Sequence, residues 1–282
     1  MGIFSDVLLT VDYDRTMTAP DSTVPQRNLE AIQYFMDNGG AFTLNTGRST
    51  TTARKLLNTL PVNAPMILYN GSACYEDGKL VDYVPIELDM WPTVLEVAEA
   101  FPELNVEIQA MDNHYFVNQK ESYVNFYDQL GWGHAPAIPG TDLGPFLKFA
   151  VFGEVEANTL KSMFTGTPQQ IQRFRDLEQF IRDRWGDKVE IFMASPRILD
   201  VHAKGVSKGN AARRLQKRLG RKILVCVGDA ANDIPMLDEA DYAYCPADGV
   251  VADRYENVCQ CADGAVAEVI YEKIPKILKN KP

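Results

Sequence analysis

Apolar positions in the first 80 residues fall in short unbroken runs. Val7-Leu8-Leu9-Thr10-Val11, the run from Ala41 to Asn45 and the run from Met66 to Tyr69 are each bounded by polar residues. Continuous apolar runs of this length, rich in β-branched residues, read as strands buried on both faces of a parallel sheet. Between them the period lengthens. Leu29, Ile32 and Met36 fall at helical spacing, and a polar helix is predicted from about Ser49 to Leu60. Thr23-Val-Pro-Gln26 resembles a capping box with an early proline, and Gly39-Gly40 marks the helix end. Strand, helix, strand, helix, strand is the doubly wound α/β pattern.

From about Tyr83 the pattern changes. A helix is predicted from Trp91 to Ala100, with proline in its first turn. Val106–Ala110, Lys148–Phe152 and Val189–Met193 alternate apolar and polar residues, which suits antiparallel strands with one wet face. Pro136–Pro145 reads as a loop, and Ile171, Phe174, Ile181 and Trp185 line one face of a long charged helix. Residues 83–190 therefore read as an inserted α+β domain. The first style then returns in a basic helix from Lys208 to Arg218, an apolar strand Ile223–Val227, a helix through Leu237, a short strand Tyr242–Cys245, and a closing helix carrying Val269, Ile270 and Ile274.

Polar residues close these strands. Asp12 and Asp14 follow the first run, and charge at the end of a buried strand is costly unless it is paired. An open α/β sheet binds its ligand at the carboxyl ends of its strands. The two aspartates thus suggest a metal site, a nucleophile, or both, against the plainer reading of an acidic turn. Thr46-Gly47-Arg48 closes the second strand, Asn70-Gly71 the third, and Gly228-Asp229-Ala-Ala-Asn232-Asp233 the later apolar run, while Lys208 opens its helix. Singly, each could be a turn, a cap or a solvated lysine; together, at successive strand ends, they form a candidate site.

Composition narrows the class. A formal net charge of −10 over 282 residues argues against nonspecific nucleic-acid binding and requires local cations for any anionic substrate. No stretch has the apolar length of a transmembrane helix, so no membrane partner is expected. Five cysteines, an odd number, with no secretion-type leader, point to a reducing cytoplasm. Cys226 lies inside an apolar strand and reads as a buried small hydrophobe. Nothing in the sequence specifies an oligomeric state.

As a set, these motifs resemble the haloacid-dehalogenase-like phosphohydrolase superfamily, and within it the Cof-type branch with its many sugar-phosphate phosphatases. The family's Asp-x-Asp-Gly-Thr is matched by Asp12-Tyr-Asp14-Arg-Thr16, its strand-closing Thr by Thr46, its Lys by Lys208, and its Gly-Asp-x-x-Asn-Asp by Gly228–Asp233. The resemblance implies a Rossmann-like core (1–82 and 191–282) with an inserted α+β cap (83–190) that selects substrate. It also implies an Mg²⁺-dependent phosphatase of small phosphorylated metabolites, sugar phosphates foremost, working through an aspartyl-phosphate. In that scheme Asp12 is the nucleophile and Asp14 the general acid and base. Mg²⁺ is held by Asp12, Asp229 and the Asp14 carbonyl. Phosphate is bound by Thr46, Gly47, Arg48, Lys208 and Asn232, and Asp233 stands behind them, orienting the metal shell and Lys208. Arg15 replaces the family's usual glycine and, with Asn70, falls near the substrate boundary. A phosphosugar mutase on the same scaffold and a non-catalytic regulator that binds a phospho-ligand are the alternatives. Trp91, Tyr115, Tyr123, Phe126 and Trp132 could stack on a substrate ring or serve as core.

Overall fold

The computed structural model describes residues 2–57, 60–154 and 165–279. In chain order the elements are β1 (Val7–Val11), α1 (Gln26–Asp37), β2 (Ala41–Leu44), α2 (Thr50–Leu57), β3 (Met66–Leu68), β4 (Ala73–Glu76), β5 (Lys79–Tyr83) and α3 (Met90–Ala100). Then come β6 (Asn105–Gln109), β7 (His114–Phe116), α4 (Glu121–Leu130), β8 (His134–Pro136), β9 (Lys148–Phe152), α5 (Pro168–Trp185), β10 (Val189–Ser195) and β11 (Ile198–Ala203). Last come α6 (Lys208–Arg218), β12 (Ile223–Val227), α7 (Ile234–Glu239), β13 (Tyr242–Pro246), β14 (Glu256–Val258) and a helical run from Ala265 to Lys279. Two positions of the predicted second helix, 58 and 59, lie outside the described residues.

The described chain divides into two compact units, one of Met1–Gly47, Arg54–Asp82 and Ser207–Pro282, the other of Arg48–Ala53 and Tyr83–Val206. The first holds a five-stranded parallel sheet of order β14-β13-β12-β1-β2. β1 is central and buried throughout, paired with β12 from Val7 opposite Ile223 to Val11 opposite Val227. Burying each of its apolar side chains stabilises the fold by roughly 1.5–3 kcal/mol. The chain builds outward from β1 to one side through β2 and later to the other through β12, β13 and β14, so the order reverses at β1. A crevice forms at the carboxyl ends of the strands at such a reversal. An isolated bridge from Asn45 to Ile67 joins β3 to this edge, and β3, β4 and β5 form a small sheet of their own. Asp77 and Gly78, both left-handed, turn β4 into β5 as a two-residue hairpin loop requires.

The second unit holds a six-stranded sheet of order β10-β11-β9-β6-β7-β8, antiparallel except where β8 joins β7. One face, with Val106, Ile108, Phe149, Val151, Leu199 and Val201, packs in a single cluster with residues of α3 and α5. The other face was expected to be wet; it stays partly exposed along β10, but along β6 and β9 it does not. β6 and β9 are buried along their whole length. Aromatic residues of α4 (Tyr123, Phe126 and Tyr127) cluster with Phe116, Ala150 and Phe152. Several polar side chains are buried there in partnership. Lys148 Nζ lies 2.7 Å from Asp200 Oδ2, and Glu107 accepts hydrogen bonds from Tyr127 Oη at 2.7 Å and Gln109 Nε2 at 2.5 Å.

The doubly wound sheet and the separate antiparallel region agree with the predicted fold class, but several details differ. The chain re-enters the first unit at Ser207 and not at 191, because β10 and β11 pair with each other and with β9 and so complete the second sheet. The capping box before α1 does not form. Thr23 Oγ1 donates to Asp21 at 2.6 Å, and the helix starts at Gln26 without a side-chain cap. Tyr123 and Phe126 are core, Trp132 packs against that cluster, Trp91 donates to Thr141 O, and Tyr115 donates to Asp112. No described helix is long and apolar enough to cross a membrane.

Candidate active site

Three adjacent strands, β2, β1 and β12, deliver the candidate residues just beyond their carboxyl ends. Asp12 follows β1, and its backbone N–H still donates to Val227 O at 2.9 Å, which fixes it against β12. Asp229 follows β12 after Gly228. A Cβ at residue 228 would lie 2.6 Å from that of Asp233, so only glycine lets the chain turn there. Ser207 caps α6 by accepting from Asn210 N at 3.0 Å, and Asn45, at the end of β2, donates to Lys208 O at 2.9 Å. These bonds aim the Lys208 side chain at the strand ends.

Lys208 is the centre of the cluster. Its Nζ lies 2.5 Å from Asp12 Oδ1 and 2.6 Å from Asp233 Oδ1, and its side chain is fully buried. Asp233 uses its other oxygen as well, accepting from the backbone N–H groups of Asp229 and Ala230 at 3.0 Å each. Asp229 accepts from Thr16 Oγ1 at 2.9 Å. Burial opposes the Lys208 charge, but Asp12 and Asp233 outweigh it and hold the ammonium firmly protonated. Burial pushes the Asp12 carboxyl well up. Lys208 pulls it back, and Asp233, Asp14 and Asp229 add to the rise. Asp229 is raised to about 6 by burial and by Asp233, with Thr16, Lys208 and Arg15 opposing. A single ammonium is therefore too little positive charge for these carboxylates, and that excess is what a divalent cation relieves.

Asp12, Asp229 and Asp233 offer carboxylate oxygens within 4.8 Å of one another, the one such acidic group among the described residues. Both Asp233 oxygens are already engaged, whereas the described hydrogen bonds to Asp12 and Asp229 use one oxygen each. Asp12 and Asp229 are thus the carboxylates fitted to a hard, oxygen-seeking ion such as Mg²⁺.

The other expected residues are placed as follows. The Asp14 side chain is exposed, and its charge is felt by Asp12. Thr46 is buried, and its carbonyl accepts from Asn70 N at 3.1 Å. Asn70 is buried in a left-handed conformation, its Oδ1 accepting from Asn232 Nδ2 at 3.4 Å. A side chain on residue 47 would meet Asn70 Oδ1 at 2.7 Å, so Gly47 allows the Thr46 and Asn70 loops to pack together. Arg48 falls in the second unit, apart from the residues it was grouped with. Arg15 is exposed at φ 62°. Sequence reasoning missed the parts played by Thr16, Asn45 and Gly228. Thr16 carried a signal, because it stands two residues after Asp14, but its partner lies 213 residues away.

This fold, with carboxylates gathered around a lysine at the strand ends, defines a hydrolase class that the comparisons identify. The chain belongs to the haloacid dehalogenase-like hydrolase family, whose model matches residues 9–252. Among its relatives, a putative phosphatase of Buchnera aphidicola subsp. Baizongia pistaciae is 24% identical over 234 residues, covering 82% of each chain. A Bacillus subtilis 5-amino-6-(5-phospho-D-ribitylamino)uracil phosphatase is 23% identical over 235 residues, 83% of this chain and 80% of that one. The crystal structure of a haloacid dehalogenase-like hydrolase from Bacteroides thetaiotaomicron superposes with a TM-score of 0.77 at 20% identity, covering 95% of this chain and 98% of the other.

Proposed function

We propose that this hydrolase is an Mg²⁺-dependent phosphatase of small phosphorylated metabolites, sugar phosphates foremost, that works through an aspartyl-phosphate on Asp12. The observation that carries the reading is the placement of Asp12 and Asp229 beside the buried Lys208 ammonium at the ends of two paired parallel strands. A phosphomonoester is doubly negative near neutral pH and repels an anionic attacker, so positioned positive charge must precede chemistry. A divalent cation held by Asp12, Asp229 and the Asp14 carbonyl would supply most of that charge.

The chain's own residues do the rest. An Asp12 oxygen attacks phosphorus in line while the bond from phosphorus to the substrate alcohol breaks. Asp14, exposed and two residues on, gives its proton to the leaving oxygen. It then takes a proton from water, which attacks phosphorus, frees orthophosphate and restores Asp12. Lys208 holds a phosphate oxygen and offsets the charge on Asp12, and Asp233 fixes the ammonium in place. Thr46, Gly47 and Asn232 complete the phosphate cradle. The second unit acts as the cap that selects the leaving group and keeps water out until the acyl phosphate has formed.

A screen of phosphorylated metabolites for released phosphate tests this. Turnover should require Mg²⁺, stop with a strong chelator and return on adding the metal back. Asp12→Asn should lower the rate by at least ~10³-fold in a folded protein. Chelator-resistant turnover, or an active Asp12→Asn, would refute it, and an isomerised sugar phosphate in place of free phosphate would identify a mutase.

A further inference from the structure

Arg15 stands between Asp14 and Thr16 in a turn closed by Met17 N donating to Asp12 O at 3.2 Å and Thr18 N donating to Tyr13 O at 3.1 Å. Its backbone is left-handed, at φ 62° and ψ 10°, a conformation that glycine adopts freely and a side chain resists. Such strain is typically stored at functional sites. Elsewhere in the first unit most of the described arginines serve structure through hydrogen bonds, while Arg254 lies over the Tyr255 ring. Arg27, Arg213, Arg214, Arg218 and Arg221 each hydrogen-bond a carbonyl or carboxylate. Among the described residues no such bond or ion pair is made by the exposed Arg15 guanidinium, yet its charge reaches Asp229 and Asp248. The next residue of the same turn, Thr16, donates to Asp229 at 2.9 Å, so the turn lies at the active-site end of the sheet, and the Arg15 guanidinium is committed to none of the carboxylates there. Lys208, by contrast, is already divided between Asp12 and Asp233.

From this we infer that Arg15 is a specificity-determining residue for phosphomonoesters whose leaving group carries a second anion, a carboxylate or a second phosphate. The inference rests on the phosphatase reading and adds the substrate class to it. A chain of net charge −10 repels a polyanion, and an unengaged planar guanidinium beside the reacting carboxylates is a forked donor set matched to either anion.

The test uses matched ester pairs that differ in one anionic group: glycerol 3-phosphate against 3-phosphoglycerate, glucose 6-phosphate against 6-phosphogluconate, and fructose 6-phosphate against fructose 1,6-bisphosphate. The first two pairs probe a carboxylate and the third a second phosphate. Wild type should favour the more anionic member of at least one pair. Arg15→Gly, which suits the left-handed backbone and should melt no lower than wild type, should cut that preference in kcat/KM by roughly fivefold to tenfold, mainly through KM. Arg15→Lys should keep part of it. Added salt should raise KM for the anionic member in wild type and not in Arg15→Gly. A ratio unchanged in Arg15→Gly, equal losses on both members of a pair, or the same salt response in both proteins would overturn the assignment while leaving the phosphatase reading intact. Release of phosphate from none of the esters by wild type with Mg²⁺ would overturn both.

Discussion

Replacing Glu107 with glutamine should stabilise the second unit at alkaline pH and leave it nearly unchanged in mild acid. Glu107 is fully buried on the inner face of β6, and burial raises its carboxyl from 4.5 to about 7 against the opposing hydrogen bonds of Tyr127 and Gln109. The folded state therefore keeps a proton that the unfolded chain gives up, and stability falls as pH rises from about 4.5 to about 7. The penalty is under about 1 kcal/mol at pH 5 and approaches about 3 kcal/mol by pH 8. Glutamine removes the titration and keeps both contacts, because its oxygen can accept from Gln109 while its amide donates to the Tyr127 hydroxyl. His114 and His202 are buried and held below their usual value by desolvation, and they cost stability as pH falls. Although His114 Nδ1 lies 3.9 Å from Glu107 Oε1, both histidines stay neutral in the fold between pH 5 and pH 8, so they cancel in the difference. All three tryptophans, Trp91, Trp132 and Trp185, lie in the second unit, so denaturation followed by tryptophan fluorescence reads that unit alone. An equal effect of Glu107→Gln at pH 5 and pH 8, or a loss of stability at pH 8, would refute the reasoning.

Two further substitutions probe the first unit. Thr16→Val removes the hydroxyl that donates to Asp229 and should raise the Mg²⁺ concentration for half-maximal turnover by ~10-fold, read from metal titrations of phosphate release; an unchanged midpoint would show that the bond does not orient Asp229. Lys208→Met leaves Asp12 and Asp233 buried without their ammonium and should cost about 3–5 kcal/mol of unfolding free energy besides abolishing turnover; a near-neutral effect on stability would mean that the carboxylates take up protons in its place.

The elements legible in the sequence were those whose neighbours impose one simple rule. β1 and β12 are enclosed on both faces, so every position had to be apolar or small, and the runs Val7–Val11 and Ile223–Val227 said so directly. The Asp12, Thr46 and Asp229 clusters stood out because polar residues ended apolar runs, and Lys208 because it opens a helix of the same pattern. Where polar side chains are buried in partnership, the same rule misled. Asn28 sits on the buried face of α1 because it donates to Met17 O and accepts from Ala267 N, so the helix packs through Asn28, Ala31, Ile32 and Phe35 in place of the Leu29, Ile32 and Met36 stripe. The alternation in β6 and β9 was real, but the face it assigned to water is closed by α4 and by the Lys148–Asp200 pair. The β10–β11 hairpin was given to the wrong unit, since local pattern does not reveal that its partner is β9, about 50 residues back in the chain. Thr16, Asn45 and Gly228 act through partners distant in sequence or through a missing side chain, and neither leaves a periodic trace.

The pairing of β1 with β12 also sets an order of assembly. Val7 meets Ile223 across 216 residues, and closing a loop of that length must precede any gain from the contact. During synthesis β1 waits with one edge unpaired while all of the second unit's sequence emerges and can fold, and the carboxylate cluster around Asp12 exists only once Asp229 and Asp233 have been made. A chain ended before residue 229 would therefore carry Asp12 and Thr16 without the carboxylate that gathers beside the one and accepts from the other.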